Sequence, residues 1–367
     1  MNLLTTRIDL DAIAYNTRLL KNRVGAAKLM AVVKADGYNH GMDRVAPVMA
    51  ANGADAFGVA TIAEALALRA TGITTPILCW IWSPEQDWAA AVEAGIDLAV
   101  ISPRHAQVLV DAPPTSRTIR VSVKVDTALH RSGVDEQDWD AVFTLLRDCG
   151  HIEVTGLFTH LSCADEPDNP ETDHQAETFR RAIDRARALG LEVPENHLCN
   201  SPATLTRPDL HMDMVRPGVA LYGLEPIPGL DHGLRPAMTW AGAITVVKPI
   251  RKGEGTSYGL TWCAETDGFV AVVPAGYADG VPRAAQDHLR VHINGHDYPQ
   301  VGRVGMDQFV IFLGDNPHGV AAGDEAIIFG GPGMSATELA DALGTINYEI
   351  ICRPTGRTVR HYTGEGK

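Results

Sequence analysis

The stretch Leu29-Met30-Ala31-Val32-Val33-Lys34-Ala35-Asp36-Gly37-Tyr38 decides how this chain is read. Five apolar residues end abruptly in a lysine, and turn-formers follow. A short apolar run bounded in this way reads as a buried strand. Lys34 then stands at the lip of that strand, partly desolvated. Desolvation favours the neutral amine, the form that attacks a carbonyl to make a Schiff base. Glycine, tyrosine and asparagine come within a few residues, so the chain turns where a phosphate fits. Taken alone, a lysine at a strand end is ordinarily just a solvated terminus.

Outward from that stretch the pattern repeats. Strand-like runs at residues 29–33, 56–60, 76–80, 97–101, 120–125, 154–159, 197–199 and 214–216 alternate with helical patterns such as 42–52, 62–71, 85–94, 135–149 and 172–189. Strand and helix in alternation imply a parallel sheet, and eight such units close most simply into a (β/α)8 TIM barrel. A doubly wound open sheet is the competing architecture. After Gly233-Leu234-Arg235-Pro236 the texture changes. Runs at 238–247, 268–273, 289–293 and 307–313 are separated by glycine-, proline- and aspartate-rich turns, with one short helix near 335–343. The fold class is thus α/β plus β: an N-terminal barrel over 1–235 and a mainly β C-terminal domain over 236–367. The strand-like segment 5–9 precedes the first barrel helix and is a candidate to pair with the β domain.

Composition narrows the partners. A formal net charge of -14 disfavours nucleic acid and anionic membrane surfaces. The chain is 45% hydrophobic, enough to bury a sizeable core. Its six cysteines include no Cys-x-x-Cys pair and no zinc spacing. No run is long enough to span a bilayer, and residues 1–7 lack a basic region leading into an apolar stretch. These features predict a reduced, soluble, cytoplasmic protein with no membrane partner. No metal is expected either: the acidic loop 165–173 lacks calcium-loop spacing, and His292 and His296 read as surface histidines. The glycine-rich 330–333 lacks the Lys-Ser/Thr of a nucleotide loop.

In such a barrel the working residues sit at the carboxyl ends of the strands. Those positions give a short roster. Lys34 and Tyr38 follow the first strand; Lys124, Asp126 and Arg131 lie at or beyond the fifth; His160 ends the sixth. Asn200 and Ser201 follow the seventh, and Arg216, Gly218 and Val219 end the eighth. The loops after strands seven and eight are the usual phosphate site of this fold, and here they offer a hydroxyl and unobstructed amides. An amine, a phosphate cradle and an arginine at the opposite pole describe pyridoxal 5'-phosphate.

At these positions the chain resembles the alanine racemases, the fold-type III pyridoxal phosphate enzymes. The resemblance runs nearly end to end. Its specific motifs are AVVKADGYNHG at 31–41 and MVRPGVALYGL at 214–224, with VKVDTALHRSG at 123–133 and HLCNS at 197–201. Residues 158–160 match too, and SYG at 257–259, GYADG at 276–280, GRVGMDQ at 302–308 and NYE at 347–349 support them. It implies interconversion of L-alanine and D-alanine, supplying peptidoglycan. Lys34 would carry the cofactor and serve the D-enantiomer's proton, while Tyr258 of a partner subunit would serve the L-enantiomer's. Arg216 would meet the pyridine nitrogen, held in orientation by His197. Arg131 would meet the phenolic oxygen and the substrate carboxylate, braced by Lys124, a lysine that some members carry as a carbamate and that reads equally as a plain lysine paired with an acid. His160 would lie against the ring. Tyr38, Ser201, Gly218, Val219 and Tyr348 would contact the phosphate, with Asn200 beside them. Tyr277, Arg283, Arg303, Met306 and Asp307 would line the mouth, with Met306 and its neighbours coming from the partner of a head-to-tail homodimer. Three departures stand out: Asn39 where glycine is common, Ala128-Leu129-His130 before Arg131, and Gly305 in place of a side chain. The alternatives are a broader-specificity racemase of the same fold, a related decarboxylase, and a non-catalytic pyridoxal phosphate-binding regulatory protein.

Overall fold

The computed structural model describes residues 2–113 and 115–367. The chain divides into two compact units. One consists mainly of Ile13–Gly37 and Gly41–Arg235, the other of residues 2–12, Tyr38–His40 and Pro236–Gly366. The first strand, β1 (Leu4–Asp9), belongs to the second unit.

The first unit is the barrel. Strands β2 (Lys28–Val32), β3 (Ala56–Thr61), β4 (Ile77–Ile81), β5 (Asp97–Val100), β6 (Ile119–Lys124), β7 (Ile152–Phe158) and β8 (Met214–Val215) form one sheet. Its order is β7-β6-β5-β4-β3-β2-β8, with every pairing parallel. Sheets covered on both faces need near-continuous apolar strands, which explains runs such as Ile77–Ile81. Inside, Met30, Ala56, Leu78, Ala99, Phe158 and Met214 pack together, each from a different strand. The interior is therefore a filled core, and chemistry is confined to the strand ends.

The seventh expected strand, 197–199, is reduced to a single parallel bridge between Phe158 and His197. The segment still joins both edges: Thr159 N–H donates to the His197 carbonyl at 3.2 Å, and Arg216 N–H to the Cys199 carbonyl at 2.8 Å. Glu195 N–H donates to the Thr155 carbonyl and His197 N–H to the Leu157 carbonyl, both at 3.1 Å, and side chains reinforce this short pairing. Asn196 Oδ1 accepts from Leu157 N–H at 3.2 Å, and Asp213 Oδ2 accepts from Asn196 N–H at 2.8 Å. Gly156 permits the approach, since a Cβ there would lie 1.6 Å from the Glu195 carbonyl oxygen.

In the second unit the strands β9 (Met238–Ala243), β10 (Val246–Ile250), β11 (Gly255–Thr256), β12 (Trp262–Cys263), β13 (Gly268–Val273), β14 (Arg290–Ile293), β15 (His296–Val301), β16 (Phe309–Gly314), β17 (Glu325–Phe329) and β18 (Val359–Thr363) follow one another. Nine strands form a sheet in the order β10-β13-β16-β15-β14-β17-β9-β1-β18. β1 pairs antiparallel with β9 and parallel with β18. The single run expected over 238–247 is two strands, because the chain changes partners at Thr245, whose N–H donates to the Val272 carbonyl. The helix Ala336–Leu343 opens with a Ser335/Glu338 capping box. A second helix, Asn347–Cys352, was not legible in the sequence and carries Tyr348.

Candidate active site

Lys34 is half-buried and begins an unusual turn. Ala35, Asp36, Gly37, Tyr38 and Asn39 all have left-handed backbone angles, with φ of 53, 54, 64, 49 and 64°. Each non-glycine residue in that region costs roughly 1–2 kcal/mol, less for asparagine and aspartate. Hydrogen bonds from all sides hold the turn. Gly37 N–H donates to the Val33 carbonyl at 2.8 Å, and Asp36 Oδ1 accepts from Met42 N–H at 2.8 Å. Glu64 Oε1 accepts from Ala35 N–H at 2.7 Å, while its Oε2 accepts from Ala60 and Thr61 N–H. The Asn39 amide donates to the carbonyls of Ile351 at 3.3 Å and Pro354 at 2.7 Å, and accepts from Arg360 at 2.7 Å. Nothing in the sequence singles out Glu64 for this role.

At the same strand ends the barrel gathers positive charge around His160. Burial first, then Arg216, Arg131, Lys124 and Lys34, push its imidazole down to about 3, so His160 is neutral. Burial, Arg131 and Arg216 lower the Lys124 ammonium to about 8, with Asp126 opposing them. Lys124 Nζ donates to the Ser132 hydroxyl at 2.7 Å. Arg131 itself is exposed. Four cations converging on one neutral ring make a mouth that calls for anions.

Arg216 is only 6% exposed. Its Nη1 donates to His197 Nδ1 and to the His197 carbonyl, both at 2.8 Å; Nη2 donates to the Thr159 carbonyl at 2.5 Å. Burial lowers the guanidinium to about 10, leaving it charged at neutral pH, and drives His197 well below the ordinary imidazole value. Arginine has no acceptor atom, so His197 Nδ1 must be the acceptor. Phe158 stacks on His197 at 5.3 Å between centroids, fixing the imidazole that orients Arg216.

Ser201, Gly218 and Val219 are all buried. The Ser201 hydroxyl accepts from Gly218 N–H at 2.8 Å and from Ala220 N–H at 3.4 Å, and its own proton remains to be donated. Asn200 caps the helix Ser201–Thr206 by accepting from Ala203 N–H at 3.3 Å. In the second unit, the rings of Tyr38 and Tyr348 lie 6.3 Å apart. Burial, reinforced by Tyr348 and Cys352, holds the Tyr38 phenol well above its ordinary value, so it is an O–H donor. An amine, a set of hydroxyl and amide donors and a permanent cation fit an anionic aromatic aldehyde bearing a phosphate.

The remaining residues of the roster lie elsewhere on the second unit. Tyr258 is 73% exposed, and Leu260, Tyr277 and Met306 are exposed with it. They adjoin one another: a Cβ on Gly305 would lie 3.7 Å from Tyr258 Cε2, and Tyr277 N–H donates to the Gly305 carbonyl at 3.1 Å. The Arg303 guanidinium packs on Gly259, 3.2 Å from where a Cβ would be. Arg283 is exposed in the turn Arg283–Ala285, and Asp307 is ion-paired with Arg357 at 2.8 Å.

Comparison with known proteins gives these features a family. The model described as Alanine racemase, N-terminal domain, matches residues 8–226, and Alanine racemase, C-terminal domain, matches residues 237–362. Alanine racemase of Corynebacterium efficiens is 96% identical over 367 residues, covering all of both chains. That of Corynebacterium glutamicum is 67% identical over 362 residues, covering 99% of this chain and 100% of its own. The crystal structure of the Corynebacterium glutamicum enzyme superposes with a TM-score of 0.91 at 64% identity, over 99% of this chain and 100% of that one. The alanine racemase structure from Streptomyces lavendulae gives a TM-score of 0.96 at 40% identity, over 100% and 98%. The chain belongs to the alanine racemase family, pyridoxal 5'-phosphate enzymes that interconvert L-alanine and D-alanine and supply D-alanine for peptidoglycan.

Proposed function

We propose that Lys34 and the phenol of Tyr258 on a second copy of the chain are the two proton-carrying groups of this racemase, which works as a head-to-tail homodimer with shared sites. One observation carries the reading. Apart from exposed Arg131, the groups on the barrel are buried or half-buried among hydrogen-bonding partners, whereas Tyr258 stands 73% exposed among other exposed apolar side chains. Such a cluster is what a subunit interface covers.

Inverting a carbon centre requires a donor on one face and an acceptor on the other. Lys34 serves the D face and Tyr258 the L face. Bound pyridoxal 5'-phosphate supplies an electron-withdrawing ring that acidifies the α-proton of alanine. Lys34 anchors it, and Tyr38, Ser201, Gly218, Val219 and Tyr348 hold its phosphate, with Asn200 fixing the Ser201 turn. Arg216 faces the ring nitrogen without giving up a proton, because a guanidinium stays charged at working pH. That favours proton exchange over transamination. Neutral His160 lies against the ring, and Arg131 and Met306 receive the substrate carboxylate. Tyr277, Arg283 and Arg303 shape a narrow entrance suited to alanine. The six cysteines are free thiols, which supports a reducing cytoplasmic setting. Among the described residues, no helix is long and apolar enough to cross a membrane.

The test is subunit mixing. Lys34→Ala and Tyr258→Phe chains, each deficient alone, recover about a quarter of wild-type rate when mixed, because half of random dimers are hybrids with one intact site. Circular dichroism of L-alanine with added pyridoxal 5'-phosphate follows the rate. No recovery places both groups within one chain and defeats the shared-site reading.

A further inference from the structure

We propose that Arg357 is a positioning residue of the racemase, fixing the Tyr277 loop and the Met306 turn as one rigid edge. The proposal rests on the reading above, in which Tyr258 and Met306 serve the partner's site. Three segments distant in sequence meet at this arginine: residues 276–280, 305–308 and 353–357. The first two are joined through their backbones, with Tyr277 N–H donating to the Gly305 carbonyl and Ala278 N–H to the Met306 carbonyl, both at 3.1 Å. They pass so close that a Cβ on Gly276 would lie 2.1 Å from the Met306 carbonyl oxygen.

Arg357 ties the acids that end both loops. Its Nε and Nη2 donate to Asp279 Oδ1 and Oδ2 at 2.8 and 2.6 Å, and its Nη1 donates to Asp307 Oδ1 at 2.8 Å. The Asp279 side chain is fully buried, so its charge depends on these bonds and on Gly276 N–H, which donates to Oδ2 at 3.0 Å. The third segment closes on the same loop, with Thr355 N–H donating to the Asp279 carbonyl at 3.0 Å. Asp307 is thereby a strut of the mouth, not a group facing substrate. A planar fork is needed to hold two carboxylates in fixed directions, and a lysine ammonium does not provide one. The brace secures the backbone of 276–278 and 305–307 while the Tyr277 and Met306 side chains stay exposed.

The test uses full-length, cofactor-loaded Arg357→Lys and Arg357→Met chains. Both should raise KM for alanine roughly tenfold, with a smaller fall in kcat, because misplacing a substrate-contacting edge by a fraction of an ångström weakens orientation. The cofactor's visible absorbance should be unchanged, since the Lys34 half is intact. Mixing with other chains then maps the defect. Arg357→Met with Lys34→Ala should restore one normal site per hybrid; Arg357→Met with Tyr258→Phe should not, as both lesions fall on the same half. Recovery with neither, while the Lys34→Ala and Tyr258→Phe pair does recover, overturns the proposal in favour of a general stability role. If that control pair fails, the shared-site reading is lost, and KM alone decides for Arg357. Should Arg357→Met not fold, Asp307→Ala cuts one arm and keeps the buried pair. An unchanged KM in both Asp307→Ala and Arg357→Lys overturns the proposal.

Discussion

The Lys34 and Tyr258 turns both carry left-handed backbone, and they are treated oppositely. The Lys34 turn runs left-handed from Ala35 to Asn39 and is hydrogen-bonded throughout. The Tyr258 turn has Ser257, Gly259 and Leu260 at φ of 61, 76 and 45°, yet it is largely exposed. Backbone strain persists only where surroundings over-determine it. The first turn has those surroundings within the chain. Among the described residues, the second has fewer such bonds, as the proposed completion by a second subunit would leave it.

The largest effect should fall on the buried turn. Lys34→Ala should lower racemisation by about ten-thousandfold or more in both directions and abolish the borohydride-reducible visible chromophore. Tyr258→Phe should cost about a hundredfold to a thousandfold and leave that chromophore in place. A chromophore that survives Lys34→Ala would remove the Schiff-base assignment and with it the contrast between the two turns.

Much of this arrangement is readable in the sequence because it depends on local pattern. Apolar runs of strand length placed Lys34, Lys124 and Arg216 at strand ends, and the family motifs named their neighbours. What escaped depends on side chains that reinforce backbone. Asn196 and Asp213 strengthen a few backbone bonds, so 197–199 joins both sheet edges without being a regular strand. No alternation records that reinforcement. Glu64 and Ser132 were invisible for a related reason: a capping glutamate and a serine acquire roles only when distant elements meet them. The Asp279–Arg357 pair spans 78 residues; Asp279 lies in the GYADG motif, but nothing in its own segment marks Arg357 as its partner.

The buried half must also tolerate its crowded cations. The folded Lys124 pKa is lowered from 10.5 to about 8, chiefly by burial. Between those values the unfolded chain binds a proton that the folded chain does not, so stability rises with pH there. Below about pH 8 the folded state bears the full cost of the buried ammonium. In cofactor-free protein, Lys124→Met should therefore be more stable than the parent at pH 7, by up to about 3 kcal/mol. The advantage should shrink as pH rises through 8 and vanish above 10.5. Chemical denaturation at pH 7 and pH 10 measures both. A gap that does not change with pH would show that Lys124 is not held against its charge.

The sharpest separation of the two turns comes from placing glycine in each. Glycine adopts positive φ freely, so it relieves strain wherever strain is present. Asn39→Gly keeps the backbone angle but removes the bonds to Ile351, Pro354 and Arg360; it should lower stability by about 2 kcal/mol. Ser257 sits at φ 61° and ψ 179°, a region that is essentially glycine's own. Ser257→Gly loses little besides that strain and should raise stability by about 1 kcal/mol, after allowing for the greater freedom of the unfolded chain. Urea unfolding of the two variants beside the parent gives both signs. Shifts in the same direction would mean that the turns are supported alike, and the exposed position of Tyr258 would then need another cause than completion by a second subunit.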